Sequence, residues 1–189
     1  QEAMSILRDL HARMTDIVLE HGGTLEKFLG DGLMATFGTP KTSGRDAWNA
    51  LSCAQAMAEA MRNWNGERYK RGEEPLRIGI GAHFGSVILG DIGSDQRLEF
   101  AVVGDTVNVA SRLEALTREL GVPIVVSQAL IEAAQRELPG SPLPEALTPA
   151  RPQAIEGHVD PVVVWTFAGD PAARPEPEAG HANPLSEIA

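Results

Sequence analysis

Apolar and polar positions follow two rhythms along this chain, one helical and one alternating. Met4, Leu7, Met14, Ile17 and Val18 fall roughly on one stripe, which predicts a helix over residues 2–21 ended by Gly22-Gly23. Leu25 to Leu29 and Leu33 to Phe37 are short apolar runs around Gly30-Asp31-Gly32, the pattern of a β-hairpin with a tight turn. Ala50, Ala54, Met57, Met61 and Trp64 recur at steps of three and four, so a second helix is expected over residues 46–69. Its Met and Trp residues read as core packing rather than as a cofactor box. Leu76, Ile78, Ile80 and Ala82 alternate with Arg77, Gly79, Gly81 and His83, a strand pattern. Residues 86–89 and 98–103 predict two further strands joined by a turn around Gly93-Ser94-Asp95.

A helix is expected over residues 105–120, closed by Gly121, then a strand at 123–126 and a helix at 128–138 capped by Ser127. Pro139, Pro142, Pro144, Pro149 and Pro152 mark residues 139–152 as a loop, and residues 159–167 as a final apolar strand follow it. Residues 169–189, rich in Pro, Ala and Glu, have no periodic apolar face and read as a disordered tail. No internal repeat is visible. Helices alternating with paired strands predict one layered α+β domain over residues 1–168.

Composition narrows the picture. At 189 residues the chain fits one domain. A chain of this size buries about 70% of its unfolded surface and needs no disulfide or structural metal. Cys53 is the only cysteine, so no internal disulfide forms, which fits a reducing, cytoplasmic setting. No apolar run approaches the roughly 18 residues of a membrane span, and residues 1–20 do not read as a signal peptide. A membrane anchor or an upstream regulatory domain outside these residues is compatible with that. The net charge of −10 argues against nucleic acid as a partner. A nucleoside triphosphate is anionic too, and would need a metal and local cations.

Two segments carry candidate chemistry. In Arg97–Glu114, RLEFAVVGDTVNVASRLE, a strand runs into Gly104-Asp105 and a helix starts at once. Asn108 and Arg112 lie four residues apart, so they leave one helix face together. A fixed amide and guanidinium suit a ligand that accumulates negative charge. Read alone, they are equally a surface polar group and a solvated helix charge. Asp31 stands at the hairpin turn, where one carboxylate can bind Mg²⁺ jointly with substrate phosphates. Read alone, Asp-Gly is also an ordinary turn pair.

Together these segments resemble the class III nucleotidyl cyclases, which make cyclic AMP or cyclic GMP. In that family a K-F-x-G-D hairpin precedes R-I-G-I-x-x-x-x-G and then V-G-D-x-V-N-x-A-x-R-L-E. Here stand Lys27-Phe28-Leu29-Gly30-Asp31, then Arg77-Ile78-Gly79-Ile80 with Gly85, then Val103-Gly104-Asp105-Thr106-Val107-Asn108-Val109-Ala110-Ser111-Arg112-Leu113-Glu114. The resemblance implies a ferredoxin-like, antiparallel-dominated sheet with helices packed on one face. It implies two divalent cations, Mg²⁺ or Mn²⁺, with Asp31 as a metal ligand. It makes Asn108 the residue that positions the ribose and Arg112 the one that stabilises charge at the reacting phosphate. It makes Lys27 the lysine that reads the adenine ring, which points to ATP. A solvated hairpin charge is the alternative reading of Lys27, which the context disfavours. It also implies a homodimer, with Lys27 and Asp31 of one protomer facing Asn108 and Arg112 of the other.

Three departures qualify the resemblance. The family's other metal aspartate belongs to an F-x-D-I-x-G-F motif on a strand before the first helix, and the chain begins after that point; Asp9 and Asp16 sit in a helical run without the motif. The second base-reading position is Ala101, which offers no side-chain hydrogen bond. Where the family places a triphosphate-binding lysine before a Gly, this chain has Glu156-Gly157, with Arg151 and His158 nearby. The expectation is therefore an adenylyl cyclase catalytic domain whose N-terminal strand is missing and whose turnover as it stands is small. The alternatives are a cyclase-like domain that binds nucleotide and regulates without turnover, and a guanylyl cyclase. A diguanylate cyclase is disfavoured, because no G-G-D-E-F-like run occurs.

Overall fold

A computed structural model describes residues 2–94, 97–144, 146–154 and 161–167, with only the backbone of residues 91–94 and 97–101. The elements run α1 (Glu2–Glu20), β1 (Thr24–Leu29), β2 (Gly32–Thr36), α2 (Asp46–Lys70), β3 (Ile80–Ala82), β4 (Ile88–Ser94), β5 (Arg97–Val103), α3 (Asp105–Leu120), β6 (Ile124–Ser127), α4 (Gln128–Glu137), β7 (Leu147–Pro149) and β8 (Val164–Phe167). The strands form a four-stranded sheet in the order β3-β6-β8-β7 and two antiparallel hairpins, β1-β2 and β4-β5. Among the described residues, only β3 and β6 pair in parallel. The layered α+β class is what the pattern predicted, and the mostly antiparallel pairing is what the family resemblance implied.

The central strand β6 is buried along its whole length, because both faces of the sheet are covered. Ile124 and Val126 join Ala47, Leu51, Ala54 and Ala58 of α2 and Leu130, Ile131 and Ala134 of α4 in one cluster. Val125 points the other way and packs with Val109, Leu113 and Leu116 of α3. Helices α1, α2 and α4 thus share the expected face, while α3 lies on the opposite one. A third cluster unites Leu10, Met14 and Val18 of α1 with Cys53, Met57, Met61 and Trp64 of α2, the inner side of β2, and Leu76, Ile78 and Ile80. Helix α2 therefore buries two stripes, which is why Leu51 and Cys53 join the stripe read from the sequence. In α1 the buried stripe runs through Leu10, and Met4 is 56% exposed rather than core.

Other boundaries differ for physical reasons. The strand expected over residues 76–83 shortens to β3. Upstream of it, the Leu76 N–H donates to Asn65 Oδ1 at 2.8 Å and Asn65 Nδ2 donates to the Leu76 carbonyl at 2.8 Å, so a side chain of α2 takes the place of a ladder partner. The proline-rich loop contains a strand, β7, at the sheet edge, where Pro149 removes no needed ladder bond. Of the strand expected over 159–167, residues 159–160 lie outside the described residues, and β8 spans Val164–Phe167. Ser127 caps α4 as expected, its Oγ accepting the Leu130 N–H at 3.3 Å. The expected 169–189 tail lies outside the described residues.

Two carboxylates fix the start of α2. Glu137, at the end of α4, accepts the free N–H groups of Ala47 at 3.0 Å and Trp48 at 2.8 Å. Asp46 gathers the preceding loop by accepting from the Thr42 hydroxyl and from the Ser43 N–H and hydroxyl. Burial pushes the Asp46 carboxyl upward, but these hydrogen bonds outweigh it and hold the group below its usual range.

Helix α3 sits directly on the β3 backbone. A Cβ at Gly81 would overlap the Glu114 nitrogen and the Ala110 carbonyl oxygen, and one at Gly79 would meet the Thr117 and Glu114 side chains. Gly81→Ala should therefore lower the unfolding free energy by about 3 kcal/mol, because backbone cannot move aside. Gly66, inside α2 with open space around it, is the contrast. Gly66→Ala should stabilise by about 0.5–1 kcal/mol. Urea unfolding of both variants checks the pair, and equal effects would contradict the close approach.

Asp46 yields a pH prediction. Its folded pKa is depressed, so its stabilisation is present above the unfolded value of about 4 and is lost as pH falls through the folded value. The difference in melting temperature between wild type and Asp46→Asn should shrink below about pH 4. A difference that stays constant from neutral pH to pH 3 would contradict it.

Candidate active site

The hairpin presents its tip through two local devices. Register shifts between Leu25 and Lys27, so Glu26 is bulged and Lys27 pairs with Met34. Glu26 is held by the Thr36 hydroxyl at 2.5 Å. Leu33 and Ala35 pack inward, and Phe28 pairs with Leu33 on that side. Lys27 therefore shares the outer side with Met34, exposed to solvent. At the tip, Gly30 has φ +63°, a left-handed conformation that favours glycine. Asp31 follows it, fully on the surface.

Helix α3 starts abruptly because Gly104 has φ +147°, and Thr106 Oγ1 donates to the Ser86 carbonyl at 2.6 Å. Val109, Leu113, Leu116 and Thr117 form its buried face. That leaves Asn108 exposed and Arg112 half-buried, one turn apart at the edge of the face. Gly121, in the left-handed region at φ +65°, ends the helix. Ala101 lies in β5 opposite Gly90; its side chain is outside the described residues, as are Glu156 and His158.

Lys27 and Asp31 thus sit on a hairpin that packs on the α1–α2 cluster, and Asn108 and Arg112 on a helix whose buried face forms the α3–β6 cluster. Among the described residues, no hydrogen bond or ion pair joins the two halves. The side chains of Lys27, Asp31, Asn108 and Arg112 make none with any described residue, so all four are free to meet a ligand. No group of three His, Cys, Asp or Glu side chains is gathered to hold a metal among the described residues. An unpartnered surface carboxylate fits Mg²⁺ shared with substrate phosphates, and not an all-protein cage. A cavity of about 500 Å³ lies behind the hairpin, between α1 and Phe28, and none of the four residues lines it. No helix among the described residues is long and apolar enough to cross a membrane.

One residue near the tip escaped the sequence reading. His11 of α1 stacks on Phe28 with ring centroids 4.3 Å apart and an interplanar angle of 20°. Its Nε2 lies 3.2 Å from the Asp31 carbonyl oxygen. Nothing in the helical pattern marks it, since the contact spans 20 residues.

Comparison with known proteins agrees with these motifs. Residues 1–138 match the family model of the adenylate and guanylate cyclase catalytic domain. Adenylate cyclase 1 of Rhizobium meliloti is 30% identical over 156 residues, 82% of this chain and 24% of that protein. The adenylate cyclase of Anabaena cylindrica is 36% identical over 134 residues, 69% of this chain and 26% of that protein. The chain thus spans about a quarter of the length of these curated relatives. Among solved structures, the guanylyl cyclase Cya2 superposes with a TM-score of 0.72 at 34% identity, covering 91% of this chain and 84% of that one. The adenylyl cyclase CyaB from P. aeruginosa gives 0.74 at 28% identity, covering 90% and 84%.

Proposed function

The chain belongs to the adenylate and guanylate cyclase catalytic domain family, and on that premise we propose that it converts ATP to cyclic AMP and pyrophosphate. The ribose 3′-oxygen attacks the α-phosphorus, the bond from that phosphorus to the β-phosphate oxygen breaks, and the 3′-hydroxyl proton is released. Asp31 would hold Mg²⁺ or Mn²⁺ jointly with the triphosphate. The bound cations supply charge neutralisation and a more acidic 3′-hydroxyl. Asn108 orients the ribose by hydrogen bonding, and Arg112 stabilises the charge that builds on the reacting phosphate. Lys27 donates to a ring nitrogen of adenine, which a cation can do and which it cannot do to the exocyclic amine.

The observation that carries this reading is the pairing of Lys27 with Asp31 on one unpartnered hairpin edge, four residues apart. The site is shared between two copies of the chain. Supporting this, the hairpin and α3 rest on different clusters and, among the described residues, no hydrogen bond or ion pair links them. A second reading is a cyclase-like nucleotide-binding domain with little turnover. Ala101 at a base-reading position and Glu156 in place of a lysine favour it. A guanylyl cyclase is the third outcome, which the likeness to Cya2 keeps in view.

In the full-length protein, Asp31→Ala and Arg112→Ala should each lower activity by about 100-fold or more. Mixed together, the two variants should recover about a quarter of wild-type activity, since half the dimers are mixed and each has one intact site. No recovery would count against a shared site.

Base choice is the second test. Ala101 removes one discriminating contact, which costs about 1–3 kcal/mol of selectivity against GTP. Cyclic AMP formation should exceed cyclic GMP formation at equal substrate, with measurable leakage. Ala101→Thr should sharpen the ratio and Lys27→Glu should erode it. If GTP is the better substrate, or Lys27→Glu leaves the ratio unchanged, Lys27 is a solvated charge and the adenylyl reading fails.

A further inference from the structure

We infer that His11 is a positioning residue for the metal-binding turn: its ring stacks on Phe28 and its Nε2–H holds the Asp31 carbonyl, which fixes where the Asp31 carboxylate points. This inference rests on the reading of Asp31 as a metal ligand. The turn itself is short of anchors. Gly30 has open space around it and a left-handed backbone, Asp31 is exposed, and the Asp31 side chain has no described partner. A two-residue tip of this kind samples several orientations unless something outside the hairpin restrains it.

Helix α1 supplies the restraint. Met14 and Val18 anchor α1 in the core it shares with α2, at 4% and 0% exposure. His11 projects from this anchored helix onto the hairpin, where it contacts two positions on either side of Gly30. The stack on Phe28, at 4.3 Å and 20°, locks the strand before the turn. The bond to the Asp31 carbonyl, at 3.2 Å, locks the turn residue. A carbonyl only accepts, so Nε2 carries the hydrogen. Groups behind a metal ligand commonly set its affinity by orienting it, and their loss typically weakens binding about 10–100-fold. Here the second layer acts on the ligand's backbone rather than on its carboxylate.

Three variants of the full-length protein separate the contributions. His11→Phe keeps the aromatic stack and removes the donor. His11→Gln keeps a donor and removes the ring. Asp31→Asn removes the ligand charge. Mn²⁺ is titrated in the presence of a non-cyclisable ATP analogue, and free Mn²⁺ is read by electron paramagnetic resonance. His11→Phe should raise the Mn²⁺ dissociation constant about tenfold, while kcat at saturating Mn²⁺ stays within about twofold. His11→Gln should return the constant to within about threefold of wild type. An unchanged constant in His11→Phe, or equal weakening in both His11 variants, would overturn the inference. If Asp31→Asn binds Mn²⁺ as wild type does, the metal reading of Asp31 is what fails. If Asp31→Asn loses binding while His11→Phe keeps it, only the role of His11 fails. A measurement on the unmodified chain needs no variant to fold: imidazole ¹⁵N shifts of His11 should report hydrogen on Nε2. A neutral ring with hydrogen on Nδ1 alone would overturn the bond.

Discussion

The contact on which the rest of this structure depends is the bare-backbone seam between α3 and β3. Gly79 and Gly81 present no side chain, so α3 lies close against the backbone: the Ala110 carbonyl oxygen and the Glu114 nitrogen stand where a Gly81 Cβ would be, and the Thr117 and Glu114 side chains where a Gly79 Cβ would be. Gly85 repeats the arrangement at the start of the helix, where the Thr106 hydroxyl occupies the space of its Cβ. Close approach of this kind fixes a helix in depth and in rotation about its axis. Rotation decides which residues face outward, and here it puts Asn108 and Arg112 at the exposed edge while Val109 and Leu113 stay fully buried. A helix held off by ordinary side chains would satisfy the same hydrophobic cluster without so narrow a choice of orientation.

The other half of the site is held by different means. The β1-β2 hairpin pairs with no other described strand, so its position comes from Leu33, Ala35 and Phe37 packing on α1 and α2, and from His11 at its tip. Rigid placement of α3 and side-on placement of the hairpin leave two polar groups of opposite character on separate surfaces. One is a carboxylate with a lysine, and the other an amide with a guanidinium. On the proposed reading, an anionic triphosphate with its metal uses both. The chain's net charge of −10 repels an anion overall, so its attraction has to come from local cations and a bound metal.

Much of this was readable in the sequence because it is local. The hairpin, α3, its glycine end at Gly121 and the Ser127 cap are set by residues within a few positions of one another. The candidate residues were readable because three ordered motifs carry them. What escaped was long-range. Glu137 caps α2 from ninety residues away, and Asn65 captures Leu76 in place of a strand, so the expected strand shortens. The edge strand β7 hid among prolines that forbid an interior strand but not an edge one. Placement of α3 on the far face turns on Val125 alone pointing away from Ile124 and Val126, and a fully apolar run does not show which side is which. His11 looked like any polar residue on a helix until its ring was found on Phe28.

The central claim is that the two halves meet across two copies of the chain. Short-reach cysteine cross-linking tests it directly, because the native thiol stays silent: Cys53 is buried and its pKa is pushed up to about 12. Asp31→Cys and Arg112→Cys are placed on separate chains, and both together on a third. The account predicts a covalent dimer when the first two chains are mixed, and only inter-chain products from the doubly substituted chain. Cross-linking within single doubly substituted chains, with no covalent dimer from the mixture, would contradict it.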